Sequence, residues 1–236
     1  MDIDKDVDIL LETCLRGNRE EVRDLVDRLV LGSTTPDRIL IDTVIPAIEK
    51  IDQIERADQA DIVVVNVMMR AMRLVVNRLV EQLPAASGSR PGRSILLACG
   101  SAMTEELQGE IVAGLLERDG HDVRFAGSGI PADELLSEVG SRRPDVLLVY
   151  AASASDAPEI RATIDRVQEI GSCPDLQIVL AGGVFGRTPG LAEEIGADLW
   201  AERPEDLLVA LIEEASQRAI PEQRTVGRTS RISRAA

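Results

Sequence analysis

The apolar positions of this chain change period once. From residue 4 to residue 84 they recur at helical spacing, and four helices are expected, over Asp8–Arg16, Arg19–Leu31, Pro36–Glu55 and Asp61–Leu83. Gly17-Asn18 separates the first pair, and Ser33, Thr34 or Thr35 before Pro36 reads as a cap with proline at the first helical position. Four such helices suffice for a small bundle. After residue 93, short apolar runs alternate with helical stretches. The runs are Ser94–Ala98, Asp122–Ala126, Val146–Ala151, Gln177–Ala181 and Asp198–Ala201. The helices fall near Glu106–Glu117, Pro131–Val139, Ala157–Ile170, Pro189–Ile195 and Pro204–Gln217. Runs such as Val146-Leu-Leu-Val149 are continuous rather than alternating, as in parallel strands covered on both faces. Five β-α units predict an α/β, doubly wound, five-stranded parallel sheet of the Rossmann-like, flavodoxin-like kind, with ligands at the carboxyl ends of its strands.

The joins are legible too. Pro84-Ala-Ala-Ser-Gly-Ser-Arg-Pro-Gly-Arg93 is small and rich in turn formers. The division is therefore a helical domain at 1–84, a linker at 85–93, an α/β domain at 94–218 and a tail at 219–236. The tail has four arginines against one glutamate and no apolar period, so it reads as a disordered basic arm.

Composition removes several functions. The 236 residues carry a net charge of −15, which opposes direct nucleic-acid binding. Aromatics are 2%, too few for base-stacking platforms. Cys14, Cys99 and Cys173 are far apart and odd in number, so a disulfide framework is not expected and a reducing cytoplasm is. No apolar run reaches the roughly 20 residues of a membrane span, and the acidic start MDIDKDVD is unlike a signal peptide.

Candidate chemistry is sparse. The single histidine, His121, lies in the turn entering the second strand, at the amino edge of the expected sheet and away from the ligand edge. No nucleophile–base pair is recognisable, and the segment after the first strand has one glycine and an acidic pair, Glu105-Glu106, which disfavours a phosphate. Glu105 and Glu106 read as first-turn carboxylates favoured by the helix dipole. Gly182-Gly183 follows the fourth strand, where a close backbone approach fits a tight turn or a ligand contact equally well. On the helix at 61–83, Asn66, Arg70, Arg73 and Asn77 form one polar stripe and nearly everything else is apolar. That helix is either the centre of its own bundle, or its Val65, Met68, Met69 and Met72 cover a ligand, a role that flexible, polarizable methionine suits.

Several segments resemble the cobalamin (B12)-binding domain family: Ile111-Val-Ala-Gly-Leu-Leu-Glu-Arg-Asp-Gly-His-Asp-Val-Arg-Phe-Ala-Gly127, Ile130-Pro-Ala-Asp-Glu134, Arg143-Pro-Asp-Val146, Pro158-Glu-Ile160, Val179-Leu-Ala-Gly-Gly183 and Glu194-Ile-Gly-Ala-Asp198. Residues 4–84 resemble the helical cap that precedes this domain in methionine synthase, corrinoid methyltransferase proteins and B12 photoreceptors; lacking Trp and His, this cap is more similar to the methyltransferase type. The resemblance implies a loop Asp-x-His-x-x-Gly whose His ligates cobalt. Its three positions here are Met103, Glu105 and Gln108, so the motif is absent. The family's Ser after the third strand is Tyr150, and a Thr four residues later in some members is Ala154. The resemblance thus implies cobalamin as cofactor, with contacts from Met103, Glu105, Gln108, Tyr150, Ala151, Ala154, Gly182, Gly183 and the four cap residues above. Glu105 is the one metal candidate, though carboxylate is a poorer partner than imidazole for cobalt. The expected function is a non-catalytic corrinoid-binding module, a sensor or carrier subunit without the usual His ligand, its ligand lying between the strand ends and the helix at 61–80. The alternative is a regulatory adaptor that has lost cobalamin or takes a different ligand. A partner protein and a second copy of the chain both remain open as associates.

Overall fold

In the computed structural model, residues 3–32, 34–84, 92–171 and 173–219 are described. Most of the expected linker and nearly all of the expected basic tail lie outside the described residues. The chain divides into two compact units: residues up to 84 together with Glu106–Gly120, and residues 92–105 together with those from 121 onward.

The helical unit contains α1 (Ile3–Arg16), α2 (Arg19–Leu31), α3 (Pro36–Ile39), α4 (Ile45–Arg56) and α5 (Ile62–Val80). Asn18 caps α2 by accepting the N–H of Glu20 at 3.0 Å, and the expected bounds of α2 are reproduced. The third expected helix is not uniform. Between α3 and α4, Leu40–Val44 forms a π-type turn in which the N–H of Ile45 bonds the carbonyl of Leu40. The next residue is Pro46, which has no N–H to continue an α-helical ladder, so the wider turn falls where that ladder is interrupted. α5 packs against α1, α2 and α4. Its Val65, Met68, Met69, Met72, Val75, Val76 and Leu79 are buried.

The helix α6 (Met103–Arg118) contributes Glu106–Gly120 to this unit. Arg73 of α5 pairs with Glu106 at 3.1 Å and Glu110 at 3.5 Å. A Cβ on Gly114 would come within 2.7 Å of Val80 Cγ1, so the bare α6 backbone at Gly114 lets α5 approach. Burial pushes the Glu110 carboxyl up, and the charge of Glu106 adds to this while Arg73 opposes it.

The second unit is built on five parallel strands: β1 (Ser94–Cys99), β2 (Asp122–Gly127), β3 (Val146–Tyr150), β4 (Gln177–Ala181) and β5 (Leu199–Ala201), in the order β2-β1-β3-β4-β5. This is the expected doubly wound sheet. β1, β3 and β4 are almost continuously buried, whereas β2, at an edge, is only half covered. The register runs Ile95 to Val146 and Val146 to Gln177. One face of the sheet packs Leu96, Leu147, Val149, Ile178 and Leu180 with Leu135 and Val139 of α7 (Ala132–Arg142) and with Ile160, Ile164 and Val167 of α8 (Ala157–Ile170). Alternation of side chains along each strand sends the neighbouring residues to the other face. There α11 (Pro204–Glu213) packs near β5.

The helix expected over Pro189–Ile195 is present as α10 (Leu191–Ile195), and a short helix that was not expected, α9 (Gly183–Arg187), precedes it. α9 follows directly from the glycine pair, too short and too glycine-rich to show a helical period. His121 sits at the amino edge as expected, its Nδ1 accepting the N–H of Arg93 at 3.2 Å.

Candidate functional site at the carboxyl edge of the sheet

The carboxyl ends of β1, β3, β4 and β5 are stitched together by backbone bonds just beyond the strands. Gly100 N–H donates to Tyr150 at 2.9 Å, Ala151 N–H to Ala181 at 2.8 Å, and Gly182 N–H to Ala201 at 3.1 Å. Strand order alone makes these four loops neighbours.

Glu105 is the centre of this edge. It lies in the first turn of α6 and is fully buried. Its Oε1 accepts the N–H of Ala152 at 2.5 Å and of Ser153 at 2.9 Å, and its Oε2 accepts the N–H of Ala102 at 3.0 Å. One carboxylate therefore satisfies three backbone donors in two loops. Burial pushes this carboxyl up from its ordinary value, the three N–H groups pull against that, and the charge of Asp156 adds to the rise.

Asp156 ends the short 3-10 turn Ala154–Asp156 and precedes α8. A carboxylate there is the usual cap of its own helix, yet this one makes no capping bond. Its Oδ1 instead accepts the hydroxyl of Ser101 at 2.9 Å, while its Oδ2 is buried with no partner. The Thr104 hydroxyl, beside Glu105 in sequence, is likewise buried without a partner. Gly100 makes room for the two acids: a Cβ there would collide with Glu105 Oε2 and lie 2.8 Å from Asp156 Oδ2. From α9, Arg187 donates to the carbonyl of Ala152, holding the same loop from its other side.

Of the expected site residues, Met103 and Ala154 are exposed at this edge, and Tyr150 and Ala151 are buried at the end of β3. Gly182 has φ +118, and a Cβ on it would be driven into the carbonyl of Ala151. The turn by itself thus demands glycine at 182. Gly183 opens α9 and is buried. Gln108, Val65, Met68, Met69 and Met72 belong to the helical unit and are buried. The exposed apolar side chains of α5 are Ile62, Val63 and Val67. Sequence reasoning passed over Asp156 and Arg187. Asp156 reads as a helix cap, and a lone arginine in a loop carries no signal at all.

Among the described residues, no three or more His, Cys, Asp or Glu side chains gather as a metal site, and no helix is long and apolar enough to cross a membrane.

Comparison with known proteins agrees with this architecture. The fold matches a monomethylamine corrinoid protein from Methanosarcina barkeri with a TM-score of 0.75 and 14% identity, over 89% of this chain and 99% of that one. Weaker matches are a methanol:cobalamin methyltransferase complex from Methanosarcina barkeri (TM-score 0.48, 16% identity, 94% of this chain and 84% of that one) and a cobalamin-binding protein from Desulfitobacterium hafniense DCB-2 (TM-score 0.46, 15% identity, 89% and 98%). No curated protein matches the sequence. The B12 binding domain family matches residues 93–212, slightly more than half of the chain and the whole of the sheet. With its five parallel strands in the order β2-β1-β3-β4-β5 and that match across them, the chain belongs to the B12-binding domain family, and cobalamin is the cofactor this membership assigns to it.

Proposed function

We propose that the chain is a non-catalytic corrinoid carrier, and that it holds its corrinoid without a cobalt ligand from Glu105. The observation that carries this reading is the state of the Glu105 carboxylate. Both oxygens already accept backbone N–H groups, and the side chain is fully buried. Glu105 is fully buried, so reaching a metal would require the side chain to leave its pocket and strand the N–H groups it accepts, at a cost of about 1–3 kcal/mol per group. The residues at the family's ligand position therefore do not fit axial ligation of cobalt by a protein side chain.

The rest of the edge supports a holding role rather than catalysis. The three backbone bonds beyond the strands and the Glu105 clamp fix the loops that face any ligand there. The name of the Methanosarcina barkeri relative, a corrinoid protein, favours a carrier over a sensor.

The test is retention. Purified protein is incubated with aquocobalamin or adenosylcobalamin, desalted, and its visible spectrum recorded. Corrin absorbance should remain with the protein, and its spectrum should be the same for wild type and Glu105→Gln, because that side chain is not on the metal. Complete loss of corrin absorbance after desalting overturns the carrier reading and favours the adaptor. A spectral change on Glu105→Gln overturns the claim about the ligand.

A further inference from the structure

Two buried acids come together at the sheet edge, over Gly100. Glu105 is fully buried and Asp156 is 7% exposed. Their oxygens Oε2 and Oδ2 converge on the space above Gly100 that a Cβ would fill. Ionised carboxylates only accept hydrogen bonds. The Glu105 oxygens are supplied with N–H donors, and Asp156 Oδ1 is supplied by Ser101. Asp156 Oδ2 has no hydrogen-bond partner among the described residues. Two adjacent buried charges of one sign are disfavoured both by desolvation and by mutual repulsion.

The surrounding elements offer no relief. The loop after β1 brings the Ser101 hydroxyl, the loop after β3 brings amides, and α9 brings Arg187, which is spent on the Ala152 carbonyl. Glu202, in the loop after β5, lies over Gly186. Among the described residues no ion pair joins a cation to either acid.

We propose that Glu105 and Asp156 share one proton, and that this proton fastens the loop after β1 to the loop after β3. It removes one of two like charges and gives the orphan Oδ2 its missing hydrogen bond. Glu105 also binds the amides of Ala152 and Ser153, so the state of the pair is read out in the loop after β3. The inference concerns the ligand-free chain and stands whether or not a corrinoid is bound.

The direction of the pH effect follows. The carboxyl is pushed up by burial and by the neighbouring charge, from an ordinary value of 4.5. The native chain therefore keeps a proton that the unfolded chain has released. The stabilisation is complete below about pH 4.5 and is lost as pH rises through the raised native value.

The experiment uses the full ligand-free chain. Thermal unfolding is followed between about pH 5 and pH 8 for wild type and for Asp156→Asn, whose amide can donate where the proton stands but does not titrate. The melting temperature of wild type should fall across this range by at least about 3 °C more than that of the variant. Equal falls overturn the proposal. Should Asp156→Asn not fold, carboxyl carbon resonances of wild type decide. The Glu105 carboxyl carbon should titrate above the ordinary carboxylate range, and an ordinary titration overturns the shared proton. Calcium or magnesium that raises the melting temperature of wild type near pH 8, but not of Asp156→Asn, would overturn it in favour of a metal at the same oxygens.

Discussion

The Glu105 carboxylate accepts the backbone N–H of Ser153 at 2.9 Å, across 48 residues of sequence. A side chain at the start of one helix thus replaces water or a ligand as the acceptor for a loop beyond another strand. Buried backbone donors are almost always paired, so the acceptor cannot be removed without consequence.

Glu105→Ala should destabilise the protein strongly. It strands the N–H groups of Ala102, Ala152 and Ser153, each at about 1–3 kcal/mol unless water enters. Glu105→Gln keeps an acceptor oxygen for Ala152 and Ser153 and strands only the Ala102 N–H, so its cost should be clearly smaller, about 1–3 kcal/mol. Urea unfolding of both variants gives the comparison. Similar losses for the two would show that the amides do not depend on the carboxylate.

Two glycines with left-handed backbone should respond differently to alanine. Gly182→Ala meets both its φ of +118 and the Ala151 carbonyl. Gly127→Ala meets only strain at φ +86, with nothing within 4 Å of the new methyl. The second should cost about 1–2 kcal/mol, and the first considerably more. Melting temperatures of the soluble fractions, with the yield of folded Gly182→Ala, measure the difference.

Gly114→Ala should be destabilising by about 1–3 kcal/mol through overpacking, because its methyl would stand 2.7 Å from Val80 Cγ1. Val80→Ala clears that space. The double variant should recover at least about 0.5 kcal/mol relative to the sum of the single ones. Additive effects in a denaturation cycle would show that the close approach of α5 and α6 is not what the glycine serves.

Cysteine reactivity should separate into one accessible thiol and two protected ones. Cys14 and Cys99 are buried, and burial pushes the Cys14 thiol up to about 12. Cys173 is half-buried. Thiolate is the reactive form, so native protein near pH 8 should titrate one thiol quickly with a chromogenic disulfide and release the others only on denaturation. Mass spectrometry should find the early label on Cys173.

Much of this protein was legible in its sequence because local chemistry dictates it. Continuous apolar runs gave the strands over 94–98 and 177–181, and the Asn18 and Pro36 signals gave helix starts that the structure keeps. Helix breaks that depend on hydrogen-bond shifts were less visible. Pro46 was in plain view, but the π turn before it depends on how the flanking helices meet the core.

The sequence by itself determined the doubly wound sheet and its cobalamin-family character. Those follow from residue types, periods and spacings within short windows. Only tertiary structure decided what Glu105 does. Asp156 lies 51 residues further on, and it reads as the cap of its own helix. The sheet order sets β1 beside β3, which brings the two acids together over Gly100. Whether a carboxylate is a free ligand or a buried clamp depends on the donors and charges that the fold delivers to it, and those come from loops that no sequence window contains.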